Sequence, residues 1–298
     1  MPSRLLPLIV VGLLTAGSGF GWAEEAFFDS DGVKIRYLDE GKGEAVVLIH
    51  GFTGSAEMWR KTPPLNCAVW DELVKHHRVI ALDCRGHGKS DKPHDTKQYG
   101  RQHVADVVRL LDHLKIKKAH VVGYSMGATI AGRLLVQHPE RLLSVVFGGG
   151  APLCEPSKEL VRLTELTAKS LEEGKGFVPV ILALPTPPGK PKATPEAAKA
   201  ISEALLGKQD QKALGACIRG QLDLEVTPHQ LKKNKLPVLV VYGSKEGEGN
   251  EAIAKAFQHV AELMGAKVQV IEGSDHITTI ARPELAEAIR AFLANGRR

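Results

Sequence analysis

The chain reads as an α/β protein with a mostly parallel central sheet, helices on both faces and a helical cap insertion. Three observations predict this. Six short runs rich in β-branched residues recur between residues 45 and 271, segments with apolar residues at helical spacing lie between them, and the alternation breaks from about Pro152 to Leu236. Continuous apolar strands separated by amphipathic helices are the pattern of βαβ units covered on both sides.

Taken in order, residues 26–28 and 33–38 flank Asp29-Ser30-Asp31-Gly32 and predict an antiparallel hairpin at one sheet edge. Residues 45–49, 79–82, 119–122, 144–147, 238–241 and 268–271 are the six buried strands. Between them Val104, Val107, Val108, Leu111 and Leu114 share one helix face, as do Ile130, Leu134 and Leu135. Residues 24–151 and 236–298 therefore form the two parts of the core, and 152–235 the insertion. Inside the insertion, helices are expected at 160–171 and 195–206, around a Pro- and Lys-rich piece, 185–192, that cannot be regular structure. Phe177 is its only aromatic residue, so the cover is aliphatic, which argues against stacking on a sugar or a base. Its place after one strand and before the next puts it over the carboxyl ends of the strands, where open α/β sheets bind ligands.

Composition sets outer limits. The 298 residues are 43% apolar and 24% charged, so disorder and collagen-like repeats are excluded. A net charge of +5 is interspersed rather than blocked, so no nucleic-acid partner is expected. Residues 1–23 differ: Arg4 is their only charge, an apolar run spans 5–16, and Gly21 and Ala23 precede Glu24. That pattern predicts a signal peptide cleaved after Ala23 and an exported mature chain. About 12 apolar residues fall short of the roughly 20 that span a bilayer, so no stable membrane insertion is expected. Export would permit pairing of Cys67, Cys84, Cys154 and Cys217, with Cys154 to Cys217 the favoured bridge and buried free thiols the alternative. No Cys-x-x-Cys pair or zinc-spaced histidine cluster accompanies them, and no metal or cofactor is expected.

The strongest chemical signal is Gly123-Tyr124-Ser125-Met126-Gly127, directly after one expected strand and directly before an expected helix. A serine there sits on a sharp turn that exposes its Oγ and aims a helix N-terminus at developing negative charge. With this motif the sequence resembles the α/β-hydrolase fold family over nearly all of the mature chain. His50-Gly51-Phe52-Thr53-Gly54 is similar to that family's oxyanion loop, so the resemblance implies that the backbone N–H groups of Phe52 and Met126 hold the tetrahedral oxyanion. Asp83-Cys84-Arg85-Gly86-His87-Gly88-Lys89-Ser90 is similar to its structural Asp-x-x-Gly-x-Gly-x-Ser turn, and His50 is expected to order the oxyanion loop.

His276, in Gly273-Ser274-Asp275-His276 after the last strand, matches the family's terminal histidine loop and is the expected base. Glu246 stands three residues after Gly243, where the family often has aspartate, and is the expected acid. Glu248 and Asp275 are its rivals. The implied activity is a serine esterase or lipase-like cleavage of a small or medium carboxylic ester through an acyl-enzyme, without cofactor. Serine at the elbow disfavours haloalkane dehalogenase and epoxide hydrolase chemistry, which the resemblance associates with aspartate there. Carbon–carbon bond hydrolysis, perhydrolase-like chemistry and a non-catalytic ligand-binding role are the alternatives.

Overall fold

Period-two alternation inside the strands builds the two faces of the sheet. The computed structural model describes residues 23–63, 66–184, 191–246 and 252–295. Its strands are β1 (Glu24–Asp29), β2 (Lys34–Gly41), β3 (Ala45–Ile49), β4 (Arg78–Leu82), β5 (Ala119–Tyr124), β6 (Leu142–Gly148), β7 (Val238–Gly243) and β8 (Lys267–Ile271). They lie in the order β1-β2-β4-β3-β5-β6-β7-β8. β1 and β2 pair antiparallel at the edge and β2 meets β4 antiparallel, while every other pairing is parallel. The predicted hairpin and the six predicted strands are all present.

On one face Val47, Ile49, Ile80, Leu82, Val121, Val145 and Phe147 bury against apolar residues of the flanking helices. Those helices are α2 (Arg101–His113), α3 (Met126–Gln137) and α9 (Ala252–Met264). On the other, Val46, Leu48, Val79, Ala81, Val122, Val146 and Val241 bury against α1 (Val69–Leu73) and α10 (Pro283–Asn295). Because β3, β5, β7 and β8 run parallel, the loops after their carboxyl ends open on one side of the sheet, and all the expected site residues follow those ends.

Between β6 and β7 lie α4 (Lys158–Glu172), α5 (Val178–Ala183), α6 (Pro195–Leu206), α7 (Gln211–Gly220) and α8 (Pro228–Lys232). Side-chain caps set their starts: Ser157 accepts from Leu160 N–H, Thr194 from Ala197 N–H and Asp210 from Ala213 N–H. Thr227 and Gln230 form a reciprocal capping box at α8. Leu171, Leu206 and Leu214 make a small cluster of this layer, which Phe52 and Phe177 join at its border with the sheet. The expectation found α4 and α6 but not α7, whose Gly215 and Gly220 read as breakers in sequence and are tolerated here because Ala216 and Cys217 bury into the main core.

The favoured Cys154 to Cys217 bridge is absent: all four cysteines are free. α7 turns Cys217 toward the core, where Sγ lies 3.9 Å from Met126 Sδ and from His103 Nε2, while Cys154 sits at a backbone bridge to Val226. Burial pushes the Cys67 thiol up to about 12, and those of Cys84 and Cys217 are raised as well. The expected signal peptide and most of the Pro- and Lys-rich piece lie outside the described residues. Among the described residues, no helix is long and apolar enough to cross a membrane.

Candidate active site

Ser125 joins β5 to α3 with φ 53° and ψ −112°, a conformation that L side chains rarely adopt. The turn is tight because its glycines remove atoms. A Cβ on Gly123 would lie 2.1 Å from the Gly127 carbonyl oxygen, and one on Gly127 would lie 2.0 Å from that of Ile49. The Ser125 N–H donates to the Gly148 carbonyl at 2.9 Å, tying the turn to β6.

Three of the expected side chains meet. His276 Nε2 lies 3.0 Å from Ser125 Oγ, and His276 Nδ1 lies 2.7 Å from Glu246 Oε1. The Glu246 side chain is only 4% exposed and that of His276 is 42% exposed, so the carboxylate is shielded while the imidazole faces the cavity. A carboxylate on Nδ1 selects the tautomer whose Nε2 is free to accept a proton from the serine. Asp275, one rival acid, is spent on its own turn: its Oδ1 accepts from the Ile277 and Thr278 N–H groups and from the Thr278 hydroxyl. Those bonds hold its carboxyl below the usual aspartate range. Glu248, the other rival, lies outside the described residues.

Met126 follows Ser125 directly in the chain, and Phe52 lies in the loop after β3. As first residue of α3, Met126 has an N–H with no acceptor inside the helix. Phe52 lines the same cavity as Ser125. The loop before it is ordered by His50, whose Nε2 accepts the Cys84 N–H at 2.9 Å while Nδ1 donates to the Gly51 carbonyl at 2.7 Å. Burial lowers the His50 pKa, which keeps the ring neutral and able to accept. Asp83 is structural, as the motif implies: it accepts from the Ala56 and Lys89 N–H groups, each at 2.7 Å, and faces the Arg36 guanidinium. His87 packs its ring against Phe52 and His50 and is likewise kept neutral by burial.

Two residues that the sequence did not single out belong here. Tyr124, inside the elbow motif, donates its hydroxyl to the His276 carbonyl at 2.7 Å. Burial, followed by the nearby Glu246 charge, raises its pKa, so the phenol stays a donor. Gln209, just before α7, donates to the Thr53 carbonyl at 3.0 Å and ties the helical layer to the Phe52 loop. Gly148 and Gly149, against which the Tyr124 ring rests, were the available sequence signal for Tyr124. Gln209 carried none.

Above Ser125 and His276 lies a cavity of about 660 Å³, with Phe52, Met58, Leu205, Ile277 and Ile280 as its apolar walls. That volume suits a small organic substrate. Among the described residues, no group of three or more His, Cys, Asp or Glu could hold a metal ion.

Comparison with known proteins agrees with this fold. A family profile described as the α/β hydrolase fold matches residues 44–178. A putative 2-succinyl-6-hydroxy-2,4-cyclohexadiene-1-carboxylate synthase of Bacillus subtilis is 27% identical, over 89% of this chain and 97% of its own. A 2-hydroxy-6-oxo-6-(2'-aminophenyl)hexa-2,4-dienoic acid hydrolase of Metapseudomonas resinovorans is 29% identical, over 91% of each. Among solved structures, a thermophilic esterase from Thermogutta terrifontis with malate bound superposes with a TM-score of 0.72 at 20% identity, covering 93% of this chain and 100% of its own. Strand order, elbow and profile together carry one conclusion: the chain has the α/β-hydrolase fold.

Proposed function

We propose that this protein is a serine hydrolase that cleaves a small or medium carboxylic ester through an acyl-enzyme. The observation that carries the reading is the unbroken line from Glu246 Oε1 through the His276 ring to Ser125 Oγ. Ser125 Oγ attacks the ester carbonyl carbon as His276 Nε2 takes its proton. The Phe52 and Met126 N–H groups receive the oxyanion. Collapse of the tetrahedral species expels the alcohol, which takes the proton from His276. Water, deprotonated by the same nitrogen, then attacks the acyl-enzyme, and the acid and free serine leave that step. Serine rather than aspartate at the elbow separates this chemistry from epoxide opening and dehalogenation.

The test is a panel of esters of graded acyl length together with a serine-reactive phosphonate probe. Wild-type protein is expected to turn over short and medium esters and to carry the probe on Ser125. Ser125→Ala should lose on the order of 10⁶-fold in kcat, because the three side chains act as one unit. An alanine variant with a tenth of the wild-type rate would overturn the reading.

The relative described as an oxo-dienoic acid hydrolase, matched over 91% of each chain, favours a second reading, in which the same side chains break a carbon–carbon bond in an unsaturated oxo acid. An oxo-dienoic acid added to the panel separates the two. Esterolysis predicts a larger kcat/KM for the esters, and the reverse ranking would replace it.

A further inference from the structure

Two lysine side chains border the cavity over Ser125. Lys92 and Lys208 both line it, and among the described residues neither ammonium has a carboxylate within 4.0 Å. The acidic side chains nearby are engaged elsewhere. Asp91, next to Lys92, accepts the Lys34 N–H at 2.7 Å. Asp210, two residues beyond Lys208, caps α7 and pairs with His94 at 2.9 Å. Glu57, which also lines the cavity, is bound to the Arg36 guanidinium at 2.8 Å and faces Arg60 at 3.9 Å.

Lys92 is held in place rather than loose. Its Nζ donates to the Gly88 and Ser90 carbonyls, each at 2.7 Å, where the structural turn fronts the cavity. An ammonium has three N–H donors, so one remains. A cation fixed by backbone carbonyls and half-buried loses little entropy on meeting an anion, and the partly dry surroundings strengthen the attraction. Lys208 sits on the exposed rim, next to Gln209, whose bond to Thr53 fixes that side of the entrance. One fixed donor at the wall and one exposed cation at the rim suit a single negative charge.

On the ester reading above, we infer that the preferred substrate is an ester carrying a second, anionic group, a carboxylate remote from the scissile bond, bound by Lys92 and steered by Lys208. The test compares 4-nitrophenyl hydrogen glutarate with 4-nitrophenyl valerate, similar in length and different in charge, each corrected for its uncatalysed rate. Wild-type protein should prefer the glutarate by about tenfold in kcat/KM at low salt, chiefly through KM, and the preference should shrink as salt is added. Lys92→Met should abolish most of that preference, and Lys208→Met, whose exposed position leaves folding intact, should reduce it by a smaller factor.

Binding of monomethyl glutarate and of dimethyl glutarate to Ser125→Ala, followed by calorimetry, reads the same preference without turnover. Tighter binding of the monoanion, weakened by Lys92→Met, supports the inference even where no ester is hydrolysed, and in that case only the ester reading fails. Equal binding of the two glutarates, or a glutarate-to-valerate ratio that is the same in wild type and both variants, overturns it.

Discussion

Around Ser125 two glycines let backbone atoms approach more closely than any side chain permits, and the residue's own φ and ψ are strained. Around Glu246 the backbone is ordinary, and support comes from a different strand's loop. The Ser244 N–H donates to the Ile271 carbonyl, that of Lys245 to Ser274, and that of Gly273 to the Ser244 hydroxyl, all at 2.9 Å. Ser125 is thus positioned by one β-turn-α unit, whereas Glu246 and His276 are positioned by two loops sewn to each other. A turn of the first kind tolerates few sequences. Loops of the second kind leave the identity of the acid free so long as the stitching holds.

After loss of Ser125 itself, the largest effect should come from cutting the link that joins the two regions. Glu246→Gln keeps size and burial but removes the charge that selects the His276 tautomer, and should lower kcat by up to ~10⁴-fold near neutral pH, by analogy with the corresponding substitution in a serine protease. Glu248→Gln should cost less than about tenfold. Steady-state kinetics of the pair decides, and reversed results would move the acid to Glu248.

Next in size is an attack on the stitching itself. A Cβ on Gly243 would lie 2.2 Å from the Ser274 carbonyl oxygen and 2.5 Å from Thr279 Oγ1, so Gly243→Ala must push the two loops apart. Overpacking of this kind costs about 1–3 kcal/mol. Denaturant unfolding should show that loss, and kcat should fall because the Glu246 to His276 geometry opens. Unaltered stability and rate would mean that the two loops move independently.

The same contrast explains what was legible beforehand. Gly123, Ser125 and Gly127 could be read because local sterics dictate their residue types, and the strands could be read because burial on both faces demands continuous apolar runs. His276 was legible from its place after the last strand. Glu246 came with rivals because a carboxylate's reach depends on a loop path that no local rule sets; the turn that consumes Asp275 became visible only in three dimensions. The Cys154 to Cys217 pairing failed for a related reason, since shared membership of an insertion says nothing about which way α7 turns its face. Lys92 was passed over because its charge matters only once the carboxylates around it are seen to be engaged.

Tyr124 offers the finest test, because it belongs to the elbow yet acts on the other region. Its hydroxyl holds the His276 carbonyl from the Ser125 side, so that a bond runs from the elbow to the backbone of the histidine loop. Tyr124→Phe leaves the ring in place against Gly148 and Gly149 and removes that bond together with the hydroxyl's contact to the Thr279 side chain. A lost hydrogen bond to a backbone carbonyl costs about 0.5–1.5 kcal/mol. If the whole of that cost falls on the alignment of His276, kcat drops by about two- to tenfold while KM stays near the wild-type value. If it falls on folding alone, the unfolding midpoint drops and kcat at 25 °C is unchanged. Measuring both in one variant separates positioning from propping, and an unchanged kcat would show that the two stitched loops align His276 without help from the elbow.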